Sequence, residues 1–116
     1  MDIREFYDRI GESYETAERR LGNEETVKLV VEKFGKDETF EGLKNSLEEA
    51  DCTRSFRFAH TLKALASELG FDSLAAAASS LTEILRRGTL LGADDAFMKT
   101  ELRYILIINN IKELCG

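Results

Sequence analysis

The residue best suited to chemistry in this chain is its single histidine, His60. Arg57 precedes it by three residues and Lys63 follows it by three, so on a helix both cations would lie beside the imidazole. No acidic residue occurs between Cys52 and Ser67, although the chain contains 22 acidic and 16 basic residues. Nearby positive charge disfavours the imidazolium form, which leaves a neutral and nucleophilic ring nitrogen. The same cations would stabilise an anionic group once it was bound to that nitrogen.

Other kinds of reactive site find little support in the sequence. One histidine and two cysteines that lie 63 positions apart, Cys52 and Cys115, do not make a zinc site. There is no G-x-x-x-x-G-K-[ST] loop for nucleotide phosphates and no G-x-S-x-G motif for a nucleophilic serine. We therefore expect no bound metal and no cofactor, and we interpret both cysteines as reduced thiols of a cytoplasmic protein.

The elements that must position His60 are helices. The 116 residues include no proline, and between glycines and short polar turns the apolar residues recur at helical spacing. This pattern predicts helices over residues 3–10, 14–21, 24–35, 39–50, 53–69, 72–88 and 92–114. We expect an all-α fold in which the last four helices form an antiparallel four-helix bundle, with additional short N-terminal helices. A chain of this length forms one domain, with an arm at residues 1–21 and the bundle at residues 22–116.

Helical geometry places His60 on the outward side of its helix. At about 100° per residue, four apolar side chains fall close together and define the expected core stripe: Phe58, Leu62, Leu65 and Leu69. His60 lies about 190° from the centre of that stripe. The residues on the same outer side are Phe56, Lys63, Ala64 and Ser67. We therefore expect the imidazole to face solvent.

The following helix could supply further polar groups. If residues 70–72 form the tip of a helical hairpin, His60 and Thr82 are level, because each lies eleven residues from Phe71. Thr82 and Arg86 share one flank of this helix, beside an apolar stripe formed by Leu74, Ala78, Leu81 and Leu85. We expect the Thr82 hydroxyl to be a partner of His60 and Arg86 to be a second cation.

The segment AHTLKALASELG at residues 59–70 closely resembles the signature of histidine phosphotransfer (HPt) domains. In that family an exposed helical histidine is followed by leucine, lysine and usually glycine, and a second glycine ends the helix. Residues 71–86 are similar to the family's next helix, and residues 21–25 and 39–43 are similar to free-standing bacterial members. The resemblance covers nearly the whole chain from about residue 20.

This resemblance implies a phosphotransfer protein of a two-component phosphorelay. His60 would accept a phosphoryl group from a receiver-domain aspartyl phosphate and pass it to another receiver. Lys63 would be its electrostatic support, Thr82 would occupy the place of a glutamine common in the family, and Arg86 would fit a basic position. Ala64 stands where the family usually has a glycine. In the family, that glycine leaves room for the phosphoryl group and the partner's loop.

The partners implied by the resemblance are receiver domains of hybrid histidine kinases and response regulators, with Mg²⁺ held by the receiver. The protein would be a phosphoryl carrier and not a kinase. The expected docking face comprises Phe56, Arg57, Ala64 and Ser67. A net charge of −6 disfavours nucleic-acid binding, and the apolar run at residues 104–108 is too short to cross a membrane. We expect a monomer.

Two alternatives stay open from the sequence. One is an HPt-like module that docks receivers without transferring phosphate, and Ala64 is the motive for considering it. The other is a structural helical bundle in which His60 is incidental, because a surface histidine beside a lysine on a helix is common. Both alternatives are helical bundles without phosphotransfer, and only the first would bind a receiver.

Overall fold

A computed structural model describes all 116 residues of the chain. It contains seven α-helices and no strand, which confirms the predicted all-α fold. The helices are α1 (Ile3–Ile10), α2 (Tyr14–Leu21), α3 (Glu24–Lys36), α4 (Thr39–Glu48), α5 (Cys52–Glu68), α6 (Asp72–Arg86) and α7 (Ala93–Cys115). Their ends agree with the sequence pattern to within two residues.

Short polar side chains begin four of the helices. Each accepts a hydrogen bond from the backbone N–H three residues later, at 2.8 to 3.2 Å. These residues are Asp2, Ser13, Asn23 and Asp51. The α5–α6 turn is fixed differently: Gly70 has a φ of +72°, and a Cβ there would lie 3.4 Å from the backbone nitrogen of Ala17. Glycine therefore permits both the left-handed turn and the close approach of α2.

Helices α4 to α7 form the antiparallel four-helix bundle that the sequence predicts. Consecutive helices pack against each other, so α5 lies between α4 and α6, and α6 lies between α5 and α7. The bundle closes where the Phe40 ring of α4 stacks on Tyr104 of α7, with ring centroids 3.9 Å apart. Helices α5 and α7 consequently occupy opposite corners of the bundle.

The N-terminal helices pack onto the bundle and share its core. Helix α1 lies against α7, α2 contacts α3 and α5, and α3 contacts α7. Four rings meet at the α5–α6 turn, with centroids 5.3 to 6.1 Å apart; this aromatic cluster consists of Phe6, Tyr7, Phe34 and Phe71. The Tyr7 hydroxyl donates a buried hydrogen bond of 2.6 Å to the carbonyl of Leu69, the residue that ends α5. The first helix is thereby fixed to the hairpin that carries His60.

The buried stripe of α5 differs from the expected one. Leu62 and Leu69 are buried as predicted, but Phe58 and Leu65 are only half-buried, and the centre of the stripe is made of Ser55, Ala59 and Ala66. The Phe58 ring fills the α4–α5 flank, where a Cβ on Gly42 would lie only 2.5 Å from it. Small side chains at the centre let α5 pack closely between its two neighbours.

Helix α7 also departs from the apolar pattern. Leu102 and Ile105 are large apolar residues three positions apart on this helix, yet they are 65% and 46% exposed. Its buried face is formed by other residues: Ala93, Ala96, Thr100, Ile107 and Ile111. None of the seven helices combines the length and the apolar character needed to span a bilayer.

Candidate functional site

His60 lies on α5 about two turns from either end, and its side chain is exposed. This confirms the predicted outward orientation, because the buried side of α5 at this level is formed by Ala59 and Leu62. No hydrogen bond or ion pair within the chain engages the imidazole, and the aromatic ring beside it is Phe56, at a centroid distance of 6.1 Å. Both ring nitrogens are therefore free to react with a group from another molecule.

Two cations beside the imidazole lack acidic partners. Arg57 is exposed and Lys63 is half-buried, and neither forms an ion pair in the chain. Arg54, in contrast, lies 2.9 Å from the Glu49 carboxylate. The net positive charge on this part of α5 thus comes from Arg57 and Lys63, which would attract an anionic group bound at His60.

Phe56 connects α5 to α6 at this level. Its half-buried ring lies under the Arg86 guanidinium, whose central carbon is 5.0 Å from the ring centroid. The Arg86 Nε also lies 3.2 Å from a carboxylate oxygen of Glu83, three residues earlier on α6. Arg86 is therefore on the α5 side of its helix as expected, but it contacts Phe56, and Glu83 partly neutralises its charge. The sequence analysis assigned no role to Glu83, although its spacing from Arg86 is typical of a helical ion pair.

The expected placement of Thr82 is wrong. Thr82 is 1% exposed, and its hydroxyl donates a 2.7 Å hydrogen bond to the Ala78 carbonyl one turn earlier in α6. A threonine can occupy a core position in this way because its own helix accepts the hydroxyl proton. Thr82 consequently belongs to the buried stripe of α6 and does not present a hydroxyl to His60.

Toward the C-terminal end of α5, the outward face that carries His60 is bordered by α2. Ala64 is exposed one turn after His60, so its methyl group lies on the open surface. Ser67 is half-buried, and its carbonyl accepts a hydrogen bond from Arg20 of α2. No signal in the sequence indicates this contact, because it depends on how the N-terminal arm packs. We call the outward residues the histidine face: Phe56, Arg57, His60, Lys63, Ala64 and Ser67.

Possible ligands for a metal are dispersed. No group of three or more His, Cys, Asp or Glu side chains is close enough to hold a metal ion. Both cysteines are free thiols; Cys115 is exposed, and the half-buried Cys52 Sγ lies 3.5 Å from the Leu85 carbonyl oxygen.

Comparison with protein families gives a match to the Hpt domain over residues 37–114. The match extends from just before α4 to the last turn of α7, and α1 to α3 lie outside it. Neither the curated proteins nor the solved structures returned a match. Hpt domains are phosphocarrier modules of two-component phosphorelays and interact there with receiver domains. Since the match covers well over half of the chain, and the bundle and the outward histidine agree with it, this protein belongs to the Hpt domain family.

Proposed function

We propose that His60 is the phosphoryl-accepting residue of this Hpt domain. The observation that carries this proposal is the exposed imidazole of the only histidine in the chain, which has no internal partner and lies within the matched region. The Ser55 hydroxyl of the same helix is less suited, because Ser55 is fully buried and donates a hydrogen bond to Ser46.

The proposed reaction is an in-line displacement on phosphorus. A neutral ring nitrogen of His60 attacks the aspartyl phosphate of a receiver domain, the N–P bond forms, and the O–P bond to the aspartate breaks. The aspartate leaves as a carboxylate, and the reverse reaction delivers the phosphoryl group to a second receiver. Mg²⁺ bound by the receiver supplies the main charge stabilisation, so this chain needs no cofactor of its own. Arg57 and Lys63 stabilise the phosphoryl group while it is bound to His60.

The histidine face is the surface that would dock the receiver. Phe56 supplies a partly exposed aromatic ring next to the imidazole, and aromatic residues often anchor protein interfaces. Arg57 adds an unpaired positive charge, and the exposed Ala64 keeps the surface beyond His60 low. We propose that the partners are receiver domains of hybrid histidine kinases and response regulators, met in the cytoplasm.

Ala64 supports one competing proposal, a docking module that binds receivers without transferring phosphate. Its exposed methyl group lies one turn from His60, where the family usually has glycine. This group could hold the partner's loop away from the imidazole. An Ala64→Gly variant tests this idea, since transfer that is absent from the wild type and present in the variant would favour the docking module.

The decisive experiment measures phosphorylation of His60. The full chain is incubated with radiolabelled phosphorylated receivers and, separately, with phosphoramidate as a small-molecule donor. We expect label on the wild type that is lost in acid and stable in base, as a phosphohistidine is. The matched control is His60→Gln, which keeps the size and polarity of an exposed residue and should carry no label.

Three results would contradict the proposal in different ways. Label that survives His60→Gln would show that another residue is the acceptor. Receiver binding without label on the wild type would favour the docking module. Absence of both binding and label with every receiver, together with a folded chain by circular dichroism, would leave a structural helical bundle.

A further inference from the structure

The outward face of α7 carries a regular row of exposed side chains that the fold does not use. They follow one another at alternating spacings of three and four residues and form what we call the α7 seam: Asp95, Met98, Leu102, Ile105, Asn109 and Lys112. Met98, Leu102 and Ile105 are 59%, 65% and 46% exposed, so three large apolar side chains lie together in solvent. Scattered exposed apolar residues are ordinary, but a continuous apolar row is typical of an interaction surface.

The spacing of the α7 seam is that of a coiled coil. Apolar residues at alternating intervals of three and four place a continuous stripe along one side of a helix, where it can pack into a second helix. The opposite side of α7 packs into its own bundle through Ala96, Thr100 and Ile107. Helix α7 therefore has two packing faces, of which the chain covers one.

We propose that a second copy of this chain covers the seam, with the two α7 helices antiparallel about a two-fold axis between Leu102 and Ile105. In this register Leu102 packs against the partner's Ile105, and Met98 packs against the partner's Asn109. At each end Asp95 lies opposite the partner's Lys112. The apolar pairs thus form the centre of the contact and the charged pairs form its rim, as in stable protein interfaces.

Charge decides the orientation. Asp95 and Lys112 are exposed and form no ion pair within the chain, so both charges are available to a partner. Antiparallel helices bring each aspartate to a lysine of the other copy, whereas parallel helices in register would oppose aspartate to aspartate and lysine to lysine. Like charges opposed in this way disfavour the parallel arrangement.

The proposed dimer leaves the phosphotransfer site accessible. Helices α5 and α7 occupy opposite corners of the bundle, so the histidine face of each copy points away from the two-fold axis. The proposal departs from the monomer that the sequence led us to expect. It does not depend on phosphotransfer, because it rests on the α7 seam alone.

Sedimentation velocity on the full chain tests the dimer. For the wild type we expect an average mass that rises from one chain toward two as the concentration increases from about 10 µM to about 1 mM, because the seam is small. The double variant Leu102→Glu/Ile105→Glu should remain monomeric over this range. Leu29→Glu is the matched control: Leu29 on α3 is 52% exposed but lies outside the seam, and its substitution should leave association unchanged. Circular dichroism verifies that each variant is folded.

A charge exchange tests the orientation. Asp95→Lys and Lys112→Asp should each weaken the dimer, by roughly fivefold in dissociation constant, because each places like charges together at both ends. The double variant Asp95→Lys/Lys112→Asp should restore wild-type association. A parallel dimer would not respond in this way, since each single variant would still oppose like charges.

Several results would overturn the proposal. A wild type that remains monomeric at about 1 mM would show that another partner, or none, covers the seam. An equal loss of association in Leu29→Glu would place the interface elsewhere. Failure of the double charge exchange to restore association would rule out the antiparallel register.

Discussion

The aromatic cluster packs at the tip of the α5–α6 hairpin that carries the histidine face, yet the two regions are built in opposite ways. In the aromatic cluster each ring contacts at least one other ring, and Phe6, Tyr7 and Phe71 are completely buried. On the histidine face His60 is exposed and has one ring beside it, and no hydrogen bond fixes its orientation. The hairpin is thus tightly packed at its tip and loosely constrained where chemistry is proposed.

This difference teaches where stability and activity should separate. A buried ring contributes several kcal/mol to stability, because its removal loses contacts and leaves a cavity. An exposed side chain usually contributes within about 0.5 kcal/mol. Substitutions in the aromatic cluster should therefore lower the free energy of unfolding without changing the chemistry of molecules that remain folded. Substitutions on the histidine face should do the reverse.

Phe71→Ala should have the largest effect on stability. We expect the free energy of unfolding to fall by about 3–5 kcal/mol, because the ring packs against three others at the α5–α6 turn. Urea denaturation followed by circular dichroism measures this loss. Phe56→Ala is the matched control, and it should cost much less because that ring is only half-buried. Equal losses in the two variants would contradict the contrast between the regions.

Tyr7→Phe should have the next largest effect. The substitution keeps the ring but removes the hydroxyl that donates to the Leu69 carbonyl, and this leaves a buried carbonyl without that donor. We expect a loss of about 1–3 kcal/mol in the free energy of unfolding. Chemical denaturation at neutral pH measures it, and a variant as stable as the wild type would show that the bond contributes nothing.

The same tyrosine predicts how stability depends on pH. Burial raises the pKa of Tyr7 well above its usual value of 10.0, and Tyr14 and Glu12 raise it further. The unfolded chain therefore loses this proton at lower pH than the folded chain does. The contribution of the protonated Tyr7 to the free energy of unfolding is complete below pH 10 and declines as pH rises toward the raised pKa. The urea midpoint of unfolding should decrease less between pH 9 and pH 11 in Tyr7→Phe than in the wild type. An equal fall would exclude Tyr7 as the cause.

Lys63→Ala should affect chemistry more than stability. Removing an unpaired cation beside His60 should slow transfer or shorten the lifetime of the phosphohistidine by roughly fivefold, equivalent to about 1 kcal/mol. Arg54→Ala is the matched control on the same helix, because Arg54 is already paired with Glu49. Single-turnover transfer from a labelled receiver measures both variants. Unchanged kinetics in Lys63→Ala would mean that its charge does not support the phosphoryl group.

Thr82→Val should have the smallest effect. The substitution keeps the shape of a buried side chain and removes a hydroxyl that bonds only to its own helix. We expect a change of less than about 1 kcal/mol in the free energy of unfolding and no change in phosphotransfer. A marked loss of transfer in a stable Thr82→Val variant would return Thr82 to the site as the sequence first suggested.

Local signals in the sequence were sufficient to predict where the helices lie and that His60 points outward. Capping residues such as Asn23 and Asp51 mark helix starts, and helical periodicity separates His60 from the buried side of α5 by a wide angle. An error of some 50° in the position of the core stripe does not bring His60 inside. A prediction that depends on so wide an angle holds even when the packing of the helices is unknown.

The sequence was a poorer guide where neighbouring helices determine whether a side chain is buried. Thr82 lies at the edge of the apolar stripe of α6, so its burial depends on how closely α6 is surrounded. Leu102 and Ile105 are apolar yet exposed, because the number of helices around α7 is not encoded in α7 itself. The contact of Arg20 with Ser67 likewise exists only once α2 has packed on α5.

The bond between Tyr7 and Leu69 has a consequence for where this domain can be cut. Family similarity begins at residue 37, whereas the core is continuous across all seven helices. An expression boundary at residue 37 would uncover Phe71 and Leu69 to solvent and leave a fragment prone to aggregate. The matched region is therefore shorter than the region that shares one core, and amide hydrogens in α1 should exchange through the same global opening as those in α5.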